Sequence, residues 1–140
     1  MQGMREDFTL CVSRLLLAAL FLHEGAFLAM NFASSAGAME KLGVPAPLLA
    51  ATAALQLAAG LAVALGWQTR LGAAALGLFC LATAVLFHTN FAVRNELLHF
   101  EKDLAVAGGL FALVIRGAGS WSVDGLLRAT RPVSPPESVR

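Results

Sequence analysis

The sequence predicts an all-α integral membrane protein: a four-helix antiparallel bundle with both termini cytoplasmic and a short interfacial C-terminal segment. Three observations lead there. Hydrophobic residues fill 58% of the 140 positions and charged residues only 14%, where a soluble domain carries about a quarter charged. The mean hydropathy is +0.72. The few charges act as fences between apolar stretches near the ~20 residues a helix needs to cross a bilayer core. A net charge of +1 without a basic stripe excludes a nucleic-acid binder. Two isolated cysteines exclude a disulfide framework or a Cys-rich zinc module.

The first span, 8–30, is interrupted by Arg14, His23 and Glu24. Ala36-Gly37-Ala38 has the look of a signal-cleavage site. It lies too far along the chain, and Glu6, Asp7 and Glu24 do not suit the regions that precede such a site. Gly43-Val44-Pro45-Ala46-Pro47 ends the first loop and places proline where the second helix starts. The second span, 46–66, has no charge and one strongly polar residue, Gln56. Gly66-Trp67-Gln68-Thr69-Arg70 is a tight turn into the third span, 71–91, whose polar positions include Cys80, Thr83, His88 and Asn90. The fourth, 97–116, is weaker, because its charge-free part, Leu104 to Ile115, is short. It crosses fully only if Lys102 snorkels toward the headgroups, and three crossings plus a half-helix is the alternative. Trp67 and Trp121 fall at the interfaces where indoles collect. Residues 1–124 thus form one transmembrane domain. The segment 125–140 is a cytoplasmic, partly disordered tail. Val123 to Thr130 begins as a short helix with Leu126 and Leu127 toward lipid and Arg128 away from it.

Basic residues set the orientation. Arg5, Arg70, Arg116, Arg128, Arg131 and Arg140 share one side of a four-crossing topology. Lys41, Arg94 and Lys102 share the other, diluted by Glu40, Glu96, Glu101 and Asp103. The excess places both termini in the cytoplasm. Small residues permit close helix approach in lipid. They line the second helix at Ala50, Ala54, Ala58 and Ala62, with Gln56 and Gly60 on another face. In the third helix they are Gly77, Cys80 and Ala84, and in the fourth Ala105, Gly109 and Ala112.

Ionisable groups within a span are costly, so each marks a candidate site. Arg14 lies about one turn inside the boundary and either snorkels to lipid phosphate or pairs within the bundle. Glu24 lies roughly 10 Å below the opposite boundary and is expensive there unless a cation or donor meets it. His88 and Lys102 lie at matching height, and Gln56 is near the midplane. A polar cluster of Glu24, Gln56, His88 and Lys102, joined by His23 in its widest form, is therefore expected in the outer half. Its roles are either interhelical bonding or proton and ligand chemistry. Haem held between His23 and His88 is disfavoured, having no further support. Neither the histidines nor Met30 and Met39 have the short spacing of a metal site, and no phosphate loop or catalytic triad is present.

Several pieces recur in order. Arg14 precedes an apolar run, Leu42-Gly43-Val44-Pro45 precedes the second helix, and Gln56 is followed by Gly60. Then come Gly66-Trp67-Gln68-Thr69-Arg70, His88 closing the third helix, and Lys102-Asp103-Leu104-Ala105 opening the fourth. Gly117-Ala118-Gly119-Ser120-Trp121-Ser122-Val123-Asp124 closes the series. Over 13–124 the chain resembles the DoxX family of small four-helix bacterial inner-membrane proteins. It departs at Gln56, where the family often has glutamate, and at His23-Glu24, where smaller or uncharged residues are usual. The family is named after a subunit of a terminal quinol oxidase linked to thiosulfate oxidation. The resemblance implies a membrane subunit or anchor of an oxidoreductase system that contacts the quinone pool, with quinone as the cofactor to consider, not catalytic by itself. A redox partner subunit and self-association are the protein partners it allows beside the lipid bilayer. A small proton-coupled transporter and a structural or assembly protein are the competing functions.

Overall fold

The computed structural model describes residues 2–130, all six of its elements being helices. The tail expected to be disordered lies mainly at 131–140, outside the described residues. Helix α1 is Gln2–Met30 and α2 is Phe32–Glu40; α3 is Ala46–Leu65, α4 Thr69–Phe87, α5 Arg94–Arg116 and α6 Val123–Ala129. Pro45 takes extended backbone ahead of α3, with a second proline in that helix's first turn, where a missing N–H is harmless. The sequence reading runs the third span to residue 91, but α4 stops at Phe87, and 88–93 connects it to α5. Helix α2 was not foreseen. It buries no residue, rests on α1 and α3, and its nine residues lack a periodic apolar face.

Helices α1, α3 and α4 are long and apolar enough to cross a membrane. Together with α5 they close a ring in which α1 packs on α3, α3 on α4, α4 on α5 and α5 on α1. The core comprises Ala18 and Phe21 of α1, Ala59 and Val63 of α3, Ala73, Leu76 and Cys80 of α4, and Ala107, Leu110 and Leu113 of α5. Outward positions are apolar too: Leu16, Leu71, Leu78, Val85 and Ile115 are each more than 60% exposed, as lipid contact requires. The small-residue reading holds for α4, where Gly77, Cys80 and Ala84 are buried. In α3 it chose the wrong face, because the buried residues are Leu49, Ala53, Gln56, Ala59, Gly60 and Val63. Alanine tolerates either side; the buried face is the one that carries Leu49 and Val63 and lets Gly60 approach α1, where a Cβ would stand 3.3 Å from Leu22.

One end of the ring is tied by the segment after α5. Gly66, in the left-handed region at φ 72°, closes α3, and a Cβ there would collide with Arg14 Nη1 and Ser122 Cβ. Arg14 is 1% exposed and donates from Nη2 to the Trp121 carbonyl at 2.6 Å. It does not snorkel to lipid: the guanidinium is turned inward beside the carbonyl-rich end of α3, where the helix dipole favours a cation. Asp124 reaches back to accept from the N–H groups of Gln68 and Thr69 at 2.9 and 3.1 Å, and its own N–H donates to the Gly66 carbonyl at 2.8 Å. The start of α4 is thus capped by a carboxylate 55 residues away. Asp7 of α1 accepts from the Ser120 N–H at 2.7 Å, and Arg70 donates to the Ile115 carbonyl at 3.3 Å.

Desolvation pushes the Asp124 carboxyl up, but the Thr69 and Gln68 N–H groups and the Arg128 charge together outweigh it and hold the group below its ordinary 3.8. A lowered folded-state value means that the ionised carboxylate stabilises the fold above the unfolded value, and that this is lost as pH falls through the lower one. Asp124→Asn is expected to lower stability by about 1 kcal/mol at neutral pH. Melting in detergent across a pH series checks this: the gap from wild type should close below pH 3.8, and a pH-independent gap would remove the carboxylate from the account.

Candidate functional site

At the end of the ring away from this clasp, four helices enclose a cavity of about 150 Å³. α1 contributes Leu20, Phe21 and Glu24, and α3 contributes Gln56. α4 supplies Phe79, Cys80 and Thr83, with His88 just past its end, and α5 supplies Lys102 and Asp103. Residues from distant parts of the chain thus meet at one level because helix rise fixes depth. α1 and α3 approach closely beside it: a Cβ on Gly25 would stand 2.9 Å from Leu57 Cγ and 3.1 Å from Gln56 Cβ. That contact orients Gln56 inward.

Four of the five expected residues, Glu24, Gln56, His88 and Lys102, line this cavity. His23 does not. Its side chain is 78% exposed, with Nδ1 3.9 Å from its neighbour Glu24. The expected pairing of Glu24 with His88 or Lys102 is not what forms. His88 Nδ1 meets Glu96 Oε2 at 2.7 Å, and its ring stacks on His99 with centroids 5.0 Å apart. Lys102 Nζ lies 3.4 Å from His99 Nδ1. Glu24, with its side chain 53% exposed, makes no other ion pair among the described residues. The short connection after α4 brings His88 over the first turn of α5, so Glu96 reaches it before any group on α1.

Sequence reading missed four contributors, Thr83, Asp103, Cys80 and Glu96. Thr83 donates to Asp103 Oδ2 at 3.0 Å, joining α4 to α5 inside the cavity. Cys80 is part of the buried wall, and Glu96 fixes the histidine. Glu96 and Asp103 were assigned only to the loop charge, although their i,i+7 spacing places both on one face of a helix, a usable signal. Chemically, the cavity is graded. Gln56, 6% exposed, is its floor, and its Oε1 is buried without a donor. Glu24 and Lys102 are exposed at the rim. Since a carboxylate only accepts, His88 Nδ1 carries the proton of the bond to Glu96. The site therefore presents the Gln56 and Glu24 oxygens as acceptors, with Lys102 as its ammonium donor.

The family model described as DoxX matches residues 9–89, a stretch that includes Arg14, Glu24, Gln56 and His88 and ends before α5. Over 122 residues the chain is 38% identical to the inner membrane protein YqjF of Escherichia coli (strain K12), covering 87% of this chain and 94% of that protein. It is 31% identical over 129 residues to the inner membrane protein YphA of the same organism, covering 87% of this chain and 92% of the relative. No solved structure matches it.

A buried acceptor without a donor lowers stability by about 1–3 kcal/mol, and an apolar replacement of similar shape relieves it. Gln56→Leu is therefore expected to raise the melting temperature in detergent. A marked fall would show that the amide is satisfied within the fold.

Proposed function

The chain belongs to the DoxX family and is an integral inner-membrane protein, and from that premise we propose that it is a membrane subunit or anchor of an oxidoreductase system, with the Glu24 cavity open to the quinone pool. The observation that carries the reading is Gln56. An amide oxygen is held without a donor at the floor of a cavity among apolar helices, beside a histidine locked by a carboxylate. Keeping such a group unsatisfied is unfavourable for folding, which makes it a ligand-facing group. A quinone headgroup supplies oxygens that take up two protons with two electrons, the electrons coming from a redox partner subunit. This chain's residues supply the proton half. Gln56 accepts a hydrogen bond from a hydroxyl, His88 holds or releases a proton at the ring nitrogen not bound to Glu96, and Glu24 exchanges protons with water at the rim. Phe21 and Phe79 provide flat apolar walls.

In this reading α5 is the fourth crossing and the bundle is antiparallel. Its 23 residues span roughly 34 Å at 1.5 Å per residue, against a hydrocarbon core of about 30 Å. The arginines of the clasp lie on the cytoplasmic side, and both termini are cytoplasmic. A reporter fused to the C-terminus is expected to read cytoplasmic. A periplasmic reading would leave three crossings.

Glu24→Gln and His88→Gln should each lower quinol-linked electron transfer in native membrane vesicles by tenfold or more, within the range general acid–base groups contribute. Gln56→Leu should lower it too while leaving the protein folded. Unchanged rates in all three variants would sink the reading. Solute flux in proteoliposomes of the chain alone would favour proton-coupled transport instead.

A further inference from the structure

The seam between α1 and α5 is the least packed of the four in the ring, and an open trough runs along it. Its inner part, about 370 Å³, is walled by Leu10, Leu16 and Leu17 of α1 and by Gly109 and Ala112 of α5, and ends at Arg116. A second hollow of about 350 Å³ continues from Leu10 and Arg116 to Arg5, Glu6 and Thr9. One end is therefore charged and the rest apolar. From Arg5 to Leu17 the trough descends roughly 18 Å along α1, comparable to half of a ~30 Å hydrocarbon core. We propose that this trough is a binding site for one anionic phospholipid, its phosphate between Arg5 and Arg116 and one acyl chain laid along Leu10 to Leu17.

Three features select that occupant. Charge does so first. Arg116 shares Glu6 at 3.3 Å, both side chains being 60% exposed, while Arg5 has no ion pair among the described residues. Two guanidiniums thus face one carboxylate, leaving one positive charge for a phosphodiester, which the planar fork of arginine binds well. Depth comes second. A trough that runs through one leaflet fits a lipid of that leaflet, whereas a helix from a second copy would need a face running the full thickness. Third, α5 presents little bulk to close the gap: Gly109 has no side chain, Ala112 only an exposed methyl, and Leu113 is buried in the core behind them. An acyl chain supplies the missing dispersion contacts. Basic pockets between helices near the cytoplasmic surface are the usual recognition element for such headgroups.

Native mass spectrometry tests this on the full chain released from nanodiscs of equal phosphatidylglycerol and phosphatidylcholine. One retained phosphatidylglycerol per chain, in preference to phosphatidylcholine, is expected. Arg5→Gln with Arg116→Gln should lower its retention by roughly twenty-five-fold, taking a factor of about five for each basic group. Arg5→Lys with Arg116→Lys should keep most of it. Gly109→Leu, whose Cβ meets only the Leu17 side chain, at 3.4 Å, should displace the lipid with both arginines in place and the melting temperature unchanged. Equal retention of the two lipids overturns the proposal, as does unchanged retention in the Gln pair or in Gly109→Leu. Disulfide capture of a dimer through Ala112→Cys would overturn it too, assigning the trough to a second copy.

Discussion

The structure depends on where the charge of Arg14 goes. A guanidinium inside a span must find polar partners, because lipid provides none. Here it is 1% exposed and turned toward the end of α3, with one nitrogen on the Trp121 carbonyl. Burying that one group, with Nη2 bonded and Nε and Nη1 left without partners, brings together α1, the Gly66 turn and the segment following α5. Once Trp121 is held, Asp124 is placed to cap α4 through the Gln68 and Thr69 amides. The ring of four long helices is thereby closed at one end by interactions that follow the helix dipoles: cations at carbonyl ends, a carboxylate at an amide end.

The opposite end leaves a cavity. Unpaired buried polar atoms occur at both ends, Arg14 Nε and Nη1 and Thr69 Oγ1 in the clasp and Gln56 Oε1 in the cavity, where Glu24 has only its neighbour His23 nearby. The pairs that do form, His88 with Glu96 and Thr83 with Asp103, join α4 to α5. Groups on α1 and α3 thus face the cavity without strong partners, while those on α4 and α5 are fixed. One end ties distant segments together and the other leaves a cavity, a division of labour expected when one end stabilises and the other binds.

Legibility followed geometry. Depth within a span can be counted along the sequence, so Glu24, Gln56, His88 and Lys102 were assignable to one level from residue positions alone. Rotation about each helix axis advances 100° per residue and is set by packing against neighbours. Neither of the partners offered for Glu24, His88 or Lys102, therefore forms a pair with it, and Ala50, Ala54 and Ala58 of α3 face outward. The segment Gly117 to Asp124 was legible as a motif but not as a clasp, because its partners lie 55 to 113 residues away. Helix α2 was illegible for a different reason, having no buried face to impose a period.

The sequence by itself determined that the chain lives in a membrane, roughly where its long apolar helices lie, and which polar residues share a depth. Those properties come from transfer free energy and from the rise per residue, both local. The tertiary structure alone decided which side of each helix faces its neighbours, that Arg14 is buried rather than snorkelled, and which acid meets which base. Those outcomes rest on the mutual rotation of four cylinders, and that is settled only when Gly25, Gly66 and the Asp124 cap bring residues from distant parts of the chain within hydrogen-bond and van der Waals distance.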